Sequence, residues 1–373
     1  MAGESYRRAF LVLALSVGLI SCAGEDFGRP QMERLLPTEY ALELLGMEEA
    51  WHCGIGHQPV RNVYVLNGLI CLETKQRKLY AIETQTGLVK WQYKLDFLLE
   101  YPPCDNEDSI FLLVGDRLYA LAKHNGHVQW HRPLDFHPSA GPAANVGLVV
   151  VPSRFMLETF EVIDGSLAWK MRLRGHVFHP PTAAGDHFFT GDAAGWAYGI
   201  NARFGQKMWE LQTGGPIGVS PSPMPGIVYV GSDDYKVYSL DAATGAVRWE
   251  KSTGDIVQAK PLGTADAVYV QSRKNGVLAY CAASGMERWH DKEATKVLAV
   301  GAKRAYLLGT PGVIRAVGVT NGQMEKRISA KQYKFFPTNH HTDHLLLVTD
   351  LGTVVALREK CETCGKSGSP AGQ

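Results

Sequence analysis

Residues 238–249, which read Tyr-Ser-Leu-Asp-Ala-Ala-Thr-Gly-Ala-Val-Arg-Trp, contain the pattern that decides the fold. An apolar strand leads into a polar turn that contains Gly245, and Trp249 follows this glycine by four residues. Glycine supplies the positive φ that a tight turn needs, and Asp and Thr side chains can bond the turn backbone. A Trp at the start of the next strand can bury about 150–250 Å². The pattern therefore predicts two strands joined by a tight turn, with the Trp in the core.

The same Gly–Trp pair recurs at a nearly constant interval. The pairs are Gly87/Trp91, Gly126/Trp130, Gly165/Trp169, Gly205/Trp209, Gly245/Trp249 and Gly285/Trp289, and a last copy, Gly322/Lys326, lacks the Trp. Successive glycines are 39, 39, 40, 40, 40 and 37 residues apart. A period near 40 residues with several short strands per unit is typical of β-propeller blades. We predict that these Trp residues are structural and pack between blades, rather than forming a stack for a cofactor.

Each repeat contains two further strand-like segments before the turn, and an innermost fourth segment that carries a proline in most repeats. These prolines are Pro59, Pro102, Pro138, Pro180, Pro221, Pro261 and Pro337. Proline cannot donate a hydrogen bond to a sheet, so it belongs on an edge strand such as the one that faces the central channel of a propeller.

The strand count predicts the size of the ring. After Lys326 the chain forms three more strands, around 334–339, 345–349 and 353–358, and no Gly–Trp turn follows them. Trp51 lies 40 residues before Trp91, in register with the series, so residues 46–51 can supply the missing strand. We predict an all-β, eight-bladed propeller of four-stranded antiparallel blades, in which the N-terminal strand completes the C-terminal blade and leaves no open edge.

The N-terminus predicts export. Arg7 and Arg8 precede an apolar run over 9–20 that is too short to span a membrane, and Leu19-Ile20-Ser21-Cys22 resembles the lipobox of bacterial lipoproteins. We predict lipidation at Cys22, with ordinary cleavage after Ala23 as the alternative. Residues 6–11 also resemble a twin-arginine signal, so the export route stays open. The predicted organisation is a signal peptide over 1–22, a linker over 23–45, a propeller over 46–360 and a flexible tail over 361–373.

Composition excludes some classes of function. The 373 residues carry a formal charge of +1 and 45% of them are hydrophobic, so the chain has neither the basic footprint of a nucleic-acid-binding protein nor a disordered composition. Export permits disulfides, but the sequence does not choose among the pairings of the six cysteines besides Cys22, which are Cys53, Cys71, Cys104, Cys281, Cys361 and Cys364.

The string Leu-Asp-x-x-Thr-Gly-x-x-x-Trp resembles the repeat of the pyrroloquinoline-quinone (PQQ)-type propeller family over about residues 46–360. Two branches of that family matter, the quinoprotein dehydrogenases and the BamB-like lipoproteins of outer-membrane protein assembly. The dehydrogenase branch implies a disulfide between adjacent cysteines and blades with long insertions. This sequence has no adjacent cysteines, and its blades are bare at about 40 residues. The resemblance is closest to the BamB-like branch.

The expected function is therefore a non-enzymatic scaffold that binds envelope proteins, faces the periplasm and is held to a membrane, the outer one by resemblance, through Cys22. The alternatives are a PQQ-dependent periplasmic oxidoreductase and a propeller that binds a small ligand. We predict no cofactor, no metal site, no catalytic constellation and no nucleic-acid partner.

Four candidate ligand-binding residues stand just before inner-strand prolines and are expected at one mouth of the channel: Tyr101, His137, His179 and Lys260. Such a ring suits an anion or a short peptide. His340, His341 and His344 with Asp343, and the pair Cys361 and Cys364, have the composition of metal or redox sites, but we expect solvated histidines and a local disulfide or free thiols in the tail. Trp196 lies outside the repeat position and suits either a partner interface or simple packing.

Overall fold

The computed structural model describes residues 37, 39–339, 341–342 and 344–360. Within these ranges one short helix, α1 (Glu39–Leu45), precedes the strands of eight antiparallel sheets arranged as the blades of a ring. The predicted eight-bladed propeller is confirmed. Among the described cysteines, Cys71, Cys104 and Cys281 are free thiols.

Seven blades are built from four consecutive strands each, ordered from the channel outwards. Blades 1 to 4 comprise β2 (Val60–Leu66), β3 (Leu69–Thr74), β4 (Lys78–Glu83) and β5 (Val89–Lys94); β6 (Cys104–Asp105), β7 (Ser109–Val114), β8 (Arg117–Ala122) and β9 (Val128–Pro133); β10 (Ala143–Ala144), β11 (Leu148–Ser153), β12 (Met156–Glu161) and β13 (Leu167–Arg172); β14 (Thr182–Ala184), β15 (His187–Gly191), β16 (Trp196–Asn201) and β17 (Gln206–Gln212). Blades 5 to 7 comprise β18 (Ser222–Met224), β19 (Ile227–Ser232), β20 (Lys236–Asp241) and β21 (Val247–Ser252); β22 (Leu262–Gly263), β23 (Ala267–Ser272), β24 (Gly276–Cys281) and β25 (Glu287–Asp291); β26 (Ala294–Val300), β27 (Arg304–Gly309), β28 (Val313–Gly318) and β29 (Met324–Ser329).

Blade 8 joins the two ends of the described chain. The N-terminal strand β1 (Met47–Gly54) pairs antiparallel with β31 (Thr353–Glu359), with Trp51 opposite Ala356, and β31 pairs with β30 (Leu345–Val348). This pairing confirms the predicted closure.

The innermost strand of blade 8, expected around 334–339, is reduced to a single bridge between Phe335 and Val348. The residues that follow bond to blade 7 instead. Thr338 Oγ1 donates to the carbonyl of Val297 at 2.7 Å, and the Asn339 amide donates to Leu298 at 2.8 Å. Pro337 has no amide hydrogen to offer. The Asn339 amide and the Thr338 side chain are therefore committed to the neighbouring blade, and the strand does not continue past Phe335.

The repeated Trp residues join each blade to the next. Each indole Nε1 donates a hydrogen bond of 2.7–3.0 Å to a carbonyl of the following blade, from Trp51, Trp91, Trp130, Trp169, Trp209, Trp249 and Trp289 to Thr84, Lys123, Val162, Ala202, Ala242, Ala282 and Val319. Each ring also lies against the turn glycine of that blade, where a Cβ would come within 2.8 Å of it. The turn position therefore requires glycine for two reasons, which are its positive φ and the Trp ring of the preceding blade.

The interface between blades 7 and 8 is built differently. Lys326 stands where the Trp would be, and blade 8 has no Gly turn because its outer strand comes from the N-terminus. The helix α1 packs there, with Leu45 fully buried beside Tyr306 and Ile328. This helix lies within the segment 23–45 that we expected to be a linker.

Because the blades are antiparallel, their loops alternate between two faces of the ring. The connections between blades and the hairpins between second and third strands share one face, which we call the connector face. The repeated Gly turns and the loops between first and second strands share the other, the Gly-turn face.

Candidate functional site

A cluster of exposed aromatic and arginine side chains lies on the connector face at blades 3 and 4. We call this surface the connector patch. It is formed by the hairpin after β11, the connection that follows β13 and the first residue of β16; its members are Arg154, Phe155, Arg174, His176, Phe178 and Trp196.

The aromatic rings of the connector patch contact one another. The rings of His176 and Phe178 have centroids 4.2 Å apart, and Phe155 meets His176 edge-on at 5.8 Å. Phe178 is 56% exposed and Phe155 is 37% exposed. Two backbone hydrogen bonds hold the loops together, from Val177 to the carbonyl of Arg154 and from Ala193 to that of His176. The aromatic surface is therefore presented by a fixed backbone.

The cations of the patch are stacked on its rings. The Arg174 guanidinium lies 4.2 Å from the centre of the Trp196 ring and is held by Glu210 through a 2.6 Å hydrogen bond, which raises its pKa. Arg154 lies over Phe155 at 5.6 Å. Trp196 is half-buried at the start of β16, against the core between blades 3 and 4. Stacked arginine and half-buried Trp are typical of the anchor residues of protein interfaces.

The four predicted channel residues stand at different distances along the chain from the first strand of their blade. Cys104, Thr182, Ala143 and Leu262 occupy equivalent positions, each opposite the same position of its second strand. Counted back from the equivalent residue of its own blade, Tyr101 and His179 each stand three residues before it. Lys260 stands two residues before its equivalent residue, and His137 stands six residues before its own. The connectors differ in length, and two of them have double prolines, so counting from the first proline shifts the register.

The four residues also have different surroundings. Tyr101 donates its hydroxyl to the carbonyl of Pro138 at 2.9 Å and so links blades 2 and 3. Burial lowers the pKa of His179, and the carboxylate of Asp233 opposes this shift. Burial likewise lowers the pKa of Lys260, whose side chain is half-buried.

An apolar groove of about 550 Å³ opens on the Gly-turn face between blades 4 and 5. Its walls include Phe189, Met224 and Pro223. At its rim Arg248 is held by Asp241 at 2.7 Å and by the carbonyl of Gly226 at 2.9 Å, so its charge is already neutralised. The groove can receive an apolar side chain and offers it no free charge.

Several sequence predictions fall on residues outside the described ranges. These residues are Cys22, His340, Asp343, Cys361 and Cys364. Among the described residues, no three His, Cys, Asp or Glu side chains come close enough to hold one metal ion. None of the helical segments within the described ranges has the length and apolar character of a membrane span.

Of the connector patch, the sequence predicted only Trp196, as suited to either a partner interface or simple packing. A signal existed, since Arg172 ends β13 and Arg174, His176 and Phe178 continue the alternation along the connection that follows it. The connections between blades differ in length and carry no repeated motif, so this alternation does not stand out in the sequence.

Comparison with known proteins gives a consistent result. The family model described as outer membrane protein assembly factor BamB matches residues 41–159, 115–225 and 213–334. Among solved structures, BamB from Moraxella catarrhalis superposes with a TM-score of 0.68 at 17% identity, over 84% of this chain and 98% of that one. No curated protein sequence matches the chain.

Two further solved structures share the fold. The computationally designed Ika8 protein has a TM-score of 0.65 at 13% identity, over 81% of this chain and 97% of its own. The quinohemoprotein alcohol dehydrogenase ADHIIG from Pseudomonas putida HK5 has a TM-score of 0.63 at 10% identity, over 90% of this chain and 80% of its own. At these identities the likeness concerns the fold alone.

Proposed function

The chain belongs to the family of the outer membrane protein assembly factor BamB, and from this membership we propose that it is a non-enzymatic scaffold of the bacterial cell envelope. It faces the periplasm, is anchored by a lipid on Cys22, and binds proteins that take part in outer-membrane protein assembly. The connector patch is the docking surface.

The composition of the connector patch carries this proposal. Aromatic residues and arginine dominate the binding energy of protein interfaces because they bury large areas with few rotatable bonds. Phe155 and Phe178 expose apolar surface. Positive charge remains at its edge, because Arg174 and Lys207 share the single carboxylate of Glu210 and Arg154 adds a further cation. The partner that fits is a folded protein with apolar side chains flanked by carboxylates.

A crosslinking experiment tests the scaffold function. The full-length protein is expressed in its bacterium with a photoreactive amino acid at Phe178, and the crosslinked partners are identified by mass spectrometry. Integral outer-membrane proteins or their assembly factors are the expected partners. If the crosslinks contain none of these, the proposed function is wrong.

A matched pair of variants tests whether the connector patch is the docking surface. Arg174→Ala with Phe178→Ala removes an arginine and an exposed phenylalanine from the connector face. Arg203→Ala with Phe204→Ala removes the same two residue types from the Gly-turn face, where Arg203 lies 5.4 Å from the 60% exposed Phe204. We expect the first pair to lower partner recovery at least tenfold, about 1.4 kcal/mol, and the second to leave it unchanged. Equal losses would place the docking surface elsewhere.

Membrane attachment is tested separately. Intact-mass spectrometry of the mature N-terminus should show an acylated Cys22, and Cys22→Ser should release the protein from the membrane fraction. A mature chain that begins at Gly24 without lipid would contradict the anchor and leave the docking surface unaffected.

The alternative function is a PQQ-dependent oxidoreductase, and the fold shared with a quinohemoprotein alcohol dehydrogenase is the observation that favours it. The sequence lacks the adjacent cysteines that this activity implies by resemblance. Addition of PQQ and Ca²⁺ to the purified protein, with an absorbance spectrum and a dye-linked assay of alcohol oxidation, separates the two functions. Stoichiometric quinone with turnover would replace the scaffold proposal.

A further inference from the structure

The hairpin between β15 and β16 of blade 4 contains a fully buried carboxylate, that of Asp192. This hairpin forms one side of the connector patch, because Trp196 begins β16 directly after it. A carboxylate is costly to bury unless hydrogen bonds satisfy its oxygens. The donors that satisfy Asp192 therefore show which parts of the structure it holds together.

Both carboxylate oxygens of Asp192 accept hydrogen bonds from residues beneath the patch. Oδ1 accepts from the amides of Ala194, at 2.9 Å, and Trp196, at 3.0 Å. Oδ2 accepts from the amide of Gly175 and from the hydroxyl of Tyr198, each at 2.7 Å. Asp192 thus joins the hairpin that precedes β16 to the connection that follows β13.

Arg174 is held at both of its ends. Its amide donates to the Tyr198 hydroxyl at 3.3 Å, and this hydroxyl in turn donates to Asp192. Burial and the hydrogen bond to Asp192 raise the pKa of Tyr198, so the hydroxyl keeps its proton. The guanidinium is held by Glu210 and lies 4.2 Å from the centre of the Trp196 ring. The backbones of both stacked residues are therefore tied to one carboxylate.

Blade 5 has a similar network beneath a different surface. Asp234 Oδ2 accepts from the amide of Gly214 at 3.0 Å and from the hydroxyl of Tyr238 at 2.5 Å, and Oδ1 accepts from the amide of Lys236 at 3.1 Å. Lys236 begins β20 in the place that Trp196 has in β16. Blade 5 therefore offers a matched carboxylate beneath a lysine instead of the stacked Trp.

We propose that Asp192 is the positioning residue of the connector patch, which holds Arg174 and Trp196 in their stacked arrangement before a partner binds. A surface that is already ordered loses less conformational freedom on binding, and this increases affinity. The inference rests on the proposed docking function and deepens it, because it identifies the group that preforms the docking surface.

The variant Asp192→Asn keeps the shape of the side chain and replaces one acceptor oxygen by an NH₂ group, which cannot accept. With NH₂ in the place of Oδ2, the Tyr198 hydroxyl can turn to accept from it, but the Gly175 amide is left unpaired. With NH₂ in the place of Oδ1, the amides of Ala194 and Trp196 are both left unpaired. The first arrangement leaves fewer donors without an acceptor, so the connection over 173–178 should loosen. Its hydrogen exchange should accelerate at least about fivefold.

Partner recovery tests the role of Asp192 in docking. The photoreactive amino acid is placed at Phe155, in a hairpin that the Asp192 carboxylate does not contact, and crosslinked envelope proteins are quantified. Asp192→Asn should lower recovery about fivefold, whereas Asp234→Asn makes the same chemical change in blade 5 and should leave it unchanged. Wild-type recovery by Asp192→Asn would overturn the proposal. Equal losses in the two variants would also overturn it, because they would show a general structural role.

A fluorine NMR spectrum of the free protein, labelled with 5-fluorotryptophan, reports the stack without a partner. Trp196→Phe identifies the Trp196 signal, and Arg174→Ala shows where this signal lies when the stack is absent. Asp192→Asn should move the signal towards that position, and Asp234→Asn should not. A signal that stays at the wild-type position in Asp192→Asn would contradict the positioning role.

Tyr198→Phe serves as a second variant should Asp192→Asn fail to fold. It removes the hydroxyl between Arg174 and Asp192 without changing a charge, and it should move the Trp196 signal in the same direction. An unmoved signal in this variant would likewise contradict the proposal. If the wild type recovers no envelope partner, the proposed function fails, and the fluorine spectrum still decides whether Asp192 positions the stack.

Discussion

The indole ring of Trp51 lies so close to Gly87 that a Cβ atom on this glycine would stand 2.4 Å from the ring carbon Cε3. Trp51 belongs to the outer strand of blade 8 and Gly87 to the outer turn of blade 1, so this contact seals the ring at the point where the N-terminal strand completes it. The Trp51 indole also donates to Thr84 O at 3.0 Å. Gly87 therefore leaves room for the Trp51 ring, a role that is separate from its positive φ.

We expect Gly87→Ala to destabilise the protein far more than a glycine-to-alanine change in an open turn. Gly68 in the β2–β3 turn is the matched control, because it has φ +78° and no atom within 4 Å of a built Cβ, whereas Gly87 has φ +73° and the Trp51 ring. The positive φ alone costs about 1–2 kcal/mol, and the clash adds about 1–3 kcal/mol. Urea unfolding followed by fluorescence should show the larger loss for Gly87→Ala. Equal losses would mean that backbone strain alone requires the glycine.

The outer strand β1 is expected to hold the ring closed. A chain that begins at Ile55 leaves the edge of β31 unpaired and exposes the core side of blade 8, which invites association with other chains. We expect it to unfold at least about 10 °C lower than the full chain and to self-associate at micromolar concentration. A chain that begins at Met47 keeps β1 and removes α1, which separates the two contributions. A synthetic peptide of residues 46–54 should restore stability to the shorter chain, and a scrambled peptide should not. If the chain that begins at Ile55 stays monomeric and is as stable as the full chain, closure by β1 is dispensable.

The helix α1 is expected to take the place of the missing Trp between blades 7 and 8. Leu45 is fully buried in a cluster with Tyr306 and Ile328, whereas Tyr40 in the same helix is 71% exposed. Leu45→Ala should cost about 2–5 kcal/mol through the cavity that it leaves, and Tyr40→Ala should change stability by less than about 0.5 kcal/mol. Thermal unfolding of the two variants measures this difference. Similar stabilities would show that the helix does not support the interface.

The ring and its closure were predictable because they depend on the period of the Gly–Trp motif, which recurs in successive repeats. The innermost strand of blade 8 was not, because its loss depends on hydrogen bonds from Thr338 and Asn339 to another blade. Trp196 could be identified as an aromatic residue outside the repeat. The contact of His176 with Phe155 and Phe178 could not, since a hairpin of blade 3 and the connection to blade 4 bring these rings together and none of them has a local pattern.

Cys281 occupies the position that Asp241 has in the neighbouring repeat, at the end of the third strand and before the Gly turn. At Asp241, the Arg248 guanidinium and the amide and hydroxyl of Thr244 lower the pKa of the carboxyl to about 2. At Cys281, the same turn offers the side chain and amide of Ser284, the amide of Ala283 and the Arg288 side chain to a thiol, and these donors lower its pKa to about 7. A turn that favours an anion at this position therefore favours the thiolate.

We expect Cys281 to be alkylated fastest among the thiols of the described chain, with a rate that is half-maximal near pH 7 and rises above it, because the thiolate is the nucleophile. Burial raises the pKa of Cys71 to about 12 and that of Cys104 well above its usual range, so both should be protected in the native protein. Iodoacetamide labelling over pH 5–9 with peptide mapping assigns each rate to its cysteine and separates Cys22, Cys361 and Cys364. Ser284→Ala removes the largest cause of the shift and should move the half-maximum upwards, whereas Thr244→Ala makes a similar change in the neighbouring turn and should not move it. A half-maximum that is unchanged in Ser284→Ala would show that the turn does not stabilise the thiolate.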